Sequence, residues 1–218
     1  TNVFIEHCYI HNFGKAGVYC AATTTPSGTI YHATVRNCVI ANIGLLYETG
    51  KYGWGNGVAM ANGGMRTTGS YGRGKMLVEN CIIHRCSMHT VDFEPGQNSI
   101  IRNNYLATPA RQYYDAGGAK DPWNVGLQQY PYGGVVSSGT AVASTGNTIT
   151  NNLVETGMGW GIVLADATTT GNSVTNNIND DVKSGCITYS RSAPTGQDSG
   201  NSCSTFSSYS LNGDGFSP

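Results

Sequence analysis

ENCII, residues 79–83, returns along the chain in six versions. EHCYI ends at Ile10, RNCVI at Ile40, RNNYL at Leu106, TNNLV at Val154 and TNNIN at Asn179. Each runs polar residue, Asn or His, Cys or Asn, then two mostly apolar residues. Cys8, Cys38, Cys81, Asn104, Asn152 and Asn177 therefore hold equivalent places, separated by 30, 43, 23, 48 and 25 residues. The short steps set a unit near 24 residues, and the longer ones are that unit extended by loops.

A second strand follows each copy. GVYCA (17–21), TVDFE (90–94) and GIVLA (161–165) come soon after, while GVAMA (57–61) and GLQQY (126–130) come later. Strand alternation places Val18, Val58, Val91, Leu127 and Ile162 on one face, joined by Cys20, Met60, Phe93, Gln129 and Leu164. Gln129 is out of character there, and the last rung, GCITY, fits less well. No segment sustains a helical period, and Gly or Asn punctuates almost every run. A strand–turn–strand unit of constant register is what a β-solenoid needs, each coil stacking on the next at about 4.8 Å. A β-sandwich, the competing all-β fold, leaves the repeated register unexplained. Asn37, Asn80, Asn103, Asn151 and Asn176 are expected to chain their side-chain amides along the stack. About six such coils occupy residues 1–182. Residues 183–218 lose the pattern and read as a cap or tail, and the chain reads as part of a longer one.

Composition narrows the function. Only 11% of the 218 residues are charged and the net charge is -1, which gives no electrostatic reason to seek nucleic acid or anionic lipid. No apolar run is long enough for a membrane-spanning helix. Glycine contributes 30 residues, so turns are abundant and the surface is wetted mainly by amides and hydroxyls. The seven cysteines form no CxxC pair. Cys186 and Cys203 are placed to close a small loop, and the others read as small apolar side chains.

These repeats, together with VDFEPGQNSIIRNNYL (91–106), resemble the pectate-lyase-like right-handed parallel β-helix superfamily. The resemblance covers most of residues 1–182 and is specific for fold rather than activity. It implies a polysaccharide-degrading enzyme or a phage tailspike-type protein, extracellular by secretion or on a virion surface. Its tailspike branch implies a homotrimer.

The candidate site comes from the residues themselves. With Val91 and Phe93 inward, Asp92 and Glu94 point outward together, their α-carbons about 6.6 Å apart along the strand. No other rung carries acids at those positions. Paired carboxylates hydrolyse glycosides, one protonating the leaving oxygen while the other activates water or attacks the sugar. The insertions at 42–56 and 107–125 should wall the rung. They bring Tyr47, Tyr52 and Trp54 on one side, and Tyr113, Tyr114 and Trp123 on the other, with Tyr130 close by. Aromatic faces stack on sugar rings, so the expected partner is a neutral or weakly acidic polysaccharide. His89 stands three residues before Asp92, placed to tune a carboxylate or hold a sugar hydroxyl. No metal or cofactor is needed for hydrolysis. A lyase reading would give Asp92 and Glu94 a Ca²⁺ ion and require a basic group, for which Arg66, Arg73, Lys75, Arg111 and Lys120 are candidates. A binding module would use the same aromatics without catalysis, and the acids would then be structural.

Overall fold

The computed structural model describes residues 2–14, 16–20, 31–44, 56–61, 74–86, 89–94, 98–107, 133–138, 145–155, 160–165, 171–182, 185–190 and 198–205. Among these residues twenty strands fall into three sheets. The first holds β1 (Asn2–Glu6), β4 (Tyr31–Arg36), β7 (Gly74–Glu79), β10 (Ile100–Arg102), β13 (Thr148–Thr150), β16 (Ser173–Thr175) and β19 (Asp198–Ser199). The second holds β2 (Tyr9–His11), β5 (Val39–Ile43), β8 (Ile82–Cys86), β11 (Tyr105–Ala107), β14 (Leu153–Glu155), β17 (Ile178–Val182) and β20 (Ser202–Thr205). The third holds β3 (Ala16–Cys20), β6 (Asn56–Ala61), β9 (Val91–Glu94), β12 (Gly133–Ser138), β15 (Trp160–Ala165) and β18 (Gly185–Ser190). The chain visits the three sheets in rotation, and every pairing is parallel. This is the stacked solenoid that the recurring pentapeptide demands.

The core is a set of columns. Ile40, Ile83, Leu106 and Val154 lie one above another in the second sheet and are fully buried. Val35, Val78, Ile101, Ile149 and Val174 do the same in the first. Val18, Val58, Val91 and Ile162 are buried members of the third. Burying a side chain of this size contributes about 1.5–3 kcal/mol, so the columns dominate the stability of the stack. The second-sheet column ends at buried Asn179, whose amide donates to the Ser202 carbonyl at 3.5 Å.

The corner between the first and second sheets explains the Asn-Asn pairs, and it corrects the ladder expected from sequence. Asn37, Asn80, Asn103, Asn151 and Asn176 are exposed and left-handed, with φ between 53° and 56°. Asn tolerates that conformation better than other residues with side chains. Their backbone N–H groups donate to the carbonyl of the next rung, for example Asn80 to Arg102 at 3.3 Å and Asn151 to Thr175 at 3.2 Å. The turn sends their side chains out of the stack, so they do not form the amide ladder. The residue after each one does. Asn104 Nδ2 donates to Asn152 Oδ1 at 2.9 Å, Asn152 to Asn177 at 2.9 Å, and Asn177 to Asn201 at 3.0 Å. Cys8, Cys38 and Cys81 continue the same column, and Cys81 N–H donates to Asn104 Oδ1 at 2.9 Å. A second ladder stands before the first sheet. There Asn147 Nδ2 donates to Asn172 Oδ1 at 2.9 Å, and Ser99 N–H donates to Asn147 Oδ1 at 2.9 Å.

Two further expectations change. The rung between TVDFE and GIVLA is β12, whose Val135 pairs with Val91 and Ile162. Leu127, Gln129 and Tyr130, assigned there from sequence, lie outside the described residues. The misfit of Gln129 was the sign of the wrong segment. The stack also runs past residue 182: β18 continues the third sheet, and β19 and β20 close the other two. A disulfide between Cys186 and Cys203, with α-carbons 5.6 Å apart, ties β18 to β20. Closing a loop of this size stabilises by about 3 kcal/mol in chain-entropy terms.

Buried acids make the fold sensitive to alkali. Burial pushes the Cys81 thiol up to about 11 and raises Cys38 and Cys86 as well. Tyr105 is pushed to about 12 by burial, then by its hydrogen bond to Glu155. Each group stays neutral in the folded chain at a pH where the unfolded chain, with thiols near 9.0, has begun to ionise. Their contribution is therefore full below pH 9 and falls as pH rises through 11. The melting temperature should hold between pH 7 and 8.5 and decline steadily from pH 9 to 11. A flat profile to pH 11 would mean that these thiols are not sequestered.

Candidate functional site

The outward face of the third sheet carries a central file of residues, one from each rung. In register these are Tyr19, Ala59, Asp92, Val136, Val163 and Thr188. Asp92 is the single acid in that file, flanked by Ala59 and Val136. Alternation within β9 puts it opposite Val91 and Phe93, both fully buried. An outward carboxylate would ordinarily be wet. Asp92 is instead only 4% exposed, and Ala59 and Val163 on the same face are 0% exposed. The middle of this face is thus covered, and the expected open groove floor is not seen at Asp92. At the edge of the file Tyr19 remains 42% exposed. Its phenol is raised above 10.0, first by desolvation and then by the negative charge of Asp92. The phenol and the carboxylate therefore share one electrostatic environment across Ala59.

His89 and Thr90 lead into β9 and are buried, at 4% and 0%. Their carbonyls accept from Gly57 N–H at 3.0 Å and Val58 N–H at 2.9 Å, which locks the start of β9 onto β6. Gly57 has to be glycine, because a Cβ there would meet the Thr90 carbonyl oxygen at 2.7 Å. The backbone that positions Asp92 is therefore closely fixed. Glu94 ends β9 two residues on, paired in register with Ala61. Tyr47, Tyr52, Trp54, Tyr113, Tyr114, Trp123 and Tyr130 lie outside the described residues. Among the described residues, no three His, Cys, Asp or Glu side chains converge in a way that would hold a metal, and no helix is long and apolar enough to cross a membrane.

The first sheet carries a charge column that sequence reading missed. Glu6, Arg36, Glu79 and Arg102 share one register position. Arg36 pairs with Glu6 at 2.7 Å, and Arg102 with Glu79 at 2.6 Å. The signal was present in the first letters of the first four pentapeptides, which alternate E, R, E, R. These partly exposed pairs fix register at a worth of about 0–1 kcal/mol each and present no free charge to a substrate.

A family model for the right handed beta helix region matches residues 32–202, well over half of the chain. The chain belongs to the right-handed β-helix family. Within this β-helix the matched span includes β18, β19 and the first residue of β20, in keeping with a stack that continues past residue 182. No curated protein matches the chain, and no solved structure does.

Proposed function

We propose that this β-helix domain depolymerises a neutral or weakly acidic glycan as a glycoside hydrolase, using Asp92 and Glu94 as its carboxylate pair with His89 assisting. The observation that carries the reading is the lone acid of the outward file on the third sheet, held on a rigid strand between Ala59 and Val136. Its α-carbon lies about 6.6 Å from that of Glu94, a spacing that leans towards an inverting pair, for which the carboxyls stand about 6.5–9.5 Å apart. The tyrosines and tryptophans of 42–56 and 107–130 would hold the sugar chain. Low net charge suits a substrate with few ionic groups. An extracellular setting fits the Cys186–Cys203 disulfide, because such bonds persist in oxidising compartments.

The test is digestion of a panel of bacterial and plant polysaccharides, with products read by mass and by ultraviolet absorbance. A hydrolase yields shorter chains that have each gained one water and carry no new double bond. Unsaturated, absorbing products would replace this assignment with a lyase and direct attention to the Arg and Lys residues.

One observation favours a second reading, a glycan-binding module without catalysis. A general acid must touch the glycosidic oxygen, and Asp92 is 4% exposed. In that reading the carboxylate is structural, and glycan binding would occur with no cleavage of any member of the panel.

A further inference from the structure

The outward face of the second sheet carries an apolar column along nearly the whole stack. Tyr9, Val39, Ile82, Tyr105, Leu153 and Ile178 are in register on six successive rungs. Tyr9 is 65% exposed, Ile82 44% and Ile178 52%, and the other three are half-buried. An outward apolar residue is unremarkable singly, but six in one file are not scattered. Two positions further along each strand runs a second file of His11, Ala41, His84, Ala107, Glu155 and Asp180. Its histidines all lie in the first half of the stack and its carboxylates in the second.

We infer that this face docks a second copy of the chain, the two solenoids running antiparallel about a two-fold axis that lies along the strand direction. Such an axis reverses the order of rungs and keeps each file opposite itself. Tyr9 then meets Ile178 of the other copy, Val39 meets Leu153, and Ile82 meets Tyr105, so each contact matches a larger side chain with a smaller one or two of similar size. In the flanking file Ala41 and Ala107 are buried, at 0% and 4% exposed, so the contact it offers is the exposed end pair, His11 meeting Asp180. Both halves of the contact repeat, as a two-fold requires. Parallel arrangements fail on the same residues. A two-fold along the solenoid axis, set between the two files, lays Glu155 and Asp180 onto Leu153 and Ile178, burying charge on hydrocarbon. A three-fold along that axis brings the Glu155 and Asp180 rungs of all copies to the same height, where like charges repel. The repeat itself also selects the partner, since a column spaced at about 4.8 Å interdigitates best with another of the same spacing.

The stripe is about 24 Å tall over its six rungs and only two files wide. It is smaller than the roughly 800 Å² per partner of standard stable interfaces, so the dimer is expected at micromolar rather than nanomolar concentration. This inference rests on the fold and the two files, and is independent of the glycan reading.

Sedimentation equilibrium of the whole chain, from micromolar to millimolar protein, tests it. The mass should rise from 23.0 kDa towards twice that value. Ile82→Lys, placed beside the axis and so counted twice, should weaken association at least about 30-fold, with the circular dichroism of the variant unchanged because Ile82 is exposed. His11→Asp alone should weaken the dimer about tenfold by facing Asp180, and adding Asp180→Lys should restore it. A monomer at every concentration, a trimer, an Ile82→Lys variant that associates like the wild type, or a charge exchange that restores nothing would each overturn the proposal.

Discussion

Asn152→Ala is expected to destabilise the fold by about 4 kcal/mol, far more than its neighbour Asn151→Gly. Asn152 stands in the middle of the amide ladder and is 1% exposed. Its Oδ1 accepts from the backbone N–H of Asn104 at 3.1 Å and from Asn104 Nδ2 at 2.9 Å. Its Nδ2 donates to the Ile101 carbonyl at 3.0 Å and to Asn177 Oδ1 at 2.9 Å. Alanine leaves the buried Asn104 backbone N–H without its acceptor, takes one of the two bonds from Asn104 Nδ2, which keeps the Val78 carbonyl at 3.1 Å, and removes the amide donor from the Ile101 carbonyl. Each such group costs about 1–3 kcal/mol, and the ladder polarises its own members, so the losses do not stop at one rung. Asn177 Oδ1 is spared, because it still accepts from the Asn152 backbone N–H at 3.0 Å. Against a total stability of about 5–15 kcal/mol, this is a loss that urea unfolding resolves easily. Asn151, by contrast, is exposed at φ 54°, where glycine is at ease, and its substitution should move the midpoint little. If Asn152→Ala unfolded within 1 kcal/mol of the wild type, the ladder would not be a stability element.

That pair of neighbours also shows where sequence reading stops. The period, the equivalent positions and the inward columns are legible because each rung must repeat the same burial, and burial leaves an apolar letter at a fixed offset. Which Asn of an Asn-Asn pair turns inward is not legible in that way. It depends on the sign of φ at the first, and the letter that gives it away is the Cys standing for the second Asn in three copies, buried at Cys38 and Cys81. The rung at β12 was misread for another reason. GLQQY and GGVVSS both follow an insertion and both open on glycine. Lengthening a loop costs only about 0.6 kcal/mol per doubling, so nothing in the spacing says where the strand resumes. The last turns were missed because β19 and β20 are short and rich in Ser. Near the end of the stack less is buried, and the apolar letters disappear with the burial. At the site, alternation identified the inward and outward faces of β9. It could not report that Asp92 is covered, since what lies over a sheet is set by segments remote in sequence.

Asp92→Asn should therefore be read on two scales at once. If Asp92 acts as acid or base, the near-isosteric amide should lower glycan cleavage at least about 100-fold while the melting temperature shifts by no more than a few degrees. If the carboxylate is structural, the order reverses: stability falls and any residual binding is lost only with the fold. A third readout separates a charged carboxylate from both outcomes. The Tyr19 phenol is held above 10.0 by desolvation and, second, by the negative charge of Asp92. Removing that charge should bring the phenol back towards 10.0 without reaching it, because desolvation remains. The change is measurable as the difference between alkaline absorbance titrations of Asp92→Asn and Asp92→Asn/Tyr19→Phe, compared with the same pair carrying Asp92. A shifted phenol together with lost cleavage and intact melting would place an ionised, working carboxylate on the middle rung. Cleavage at the wild-type rate in Asp92→Asn would end the hydrolase assignment, whatever Tyr19 did.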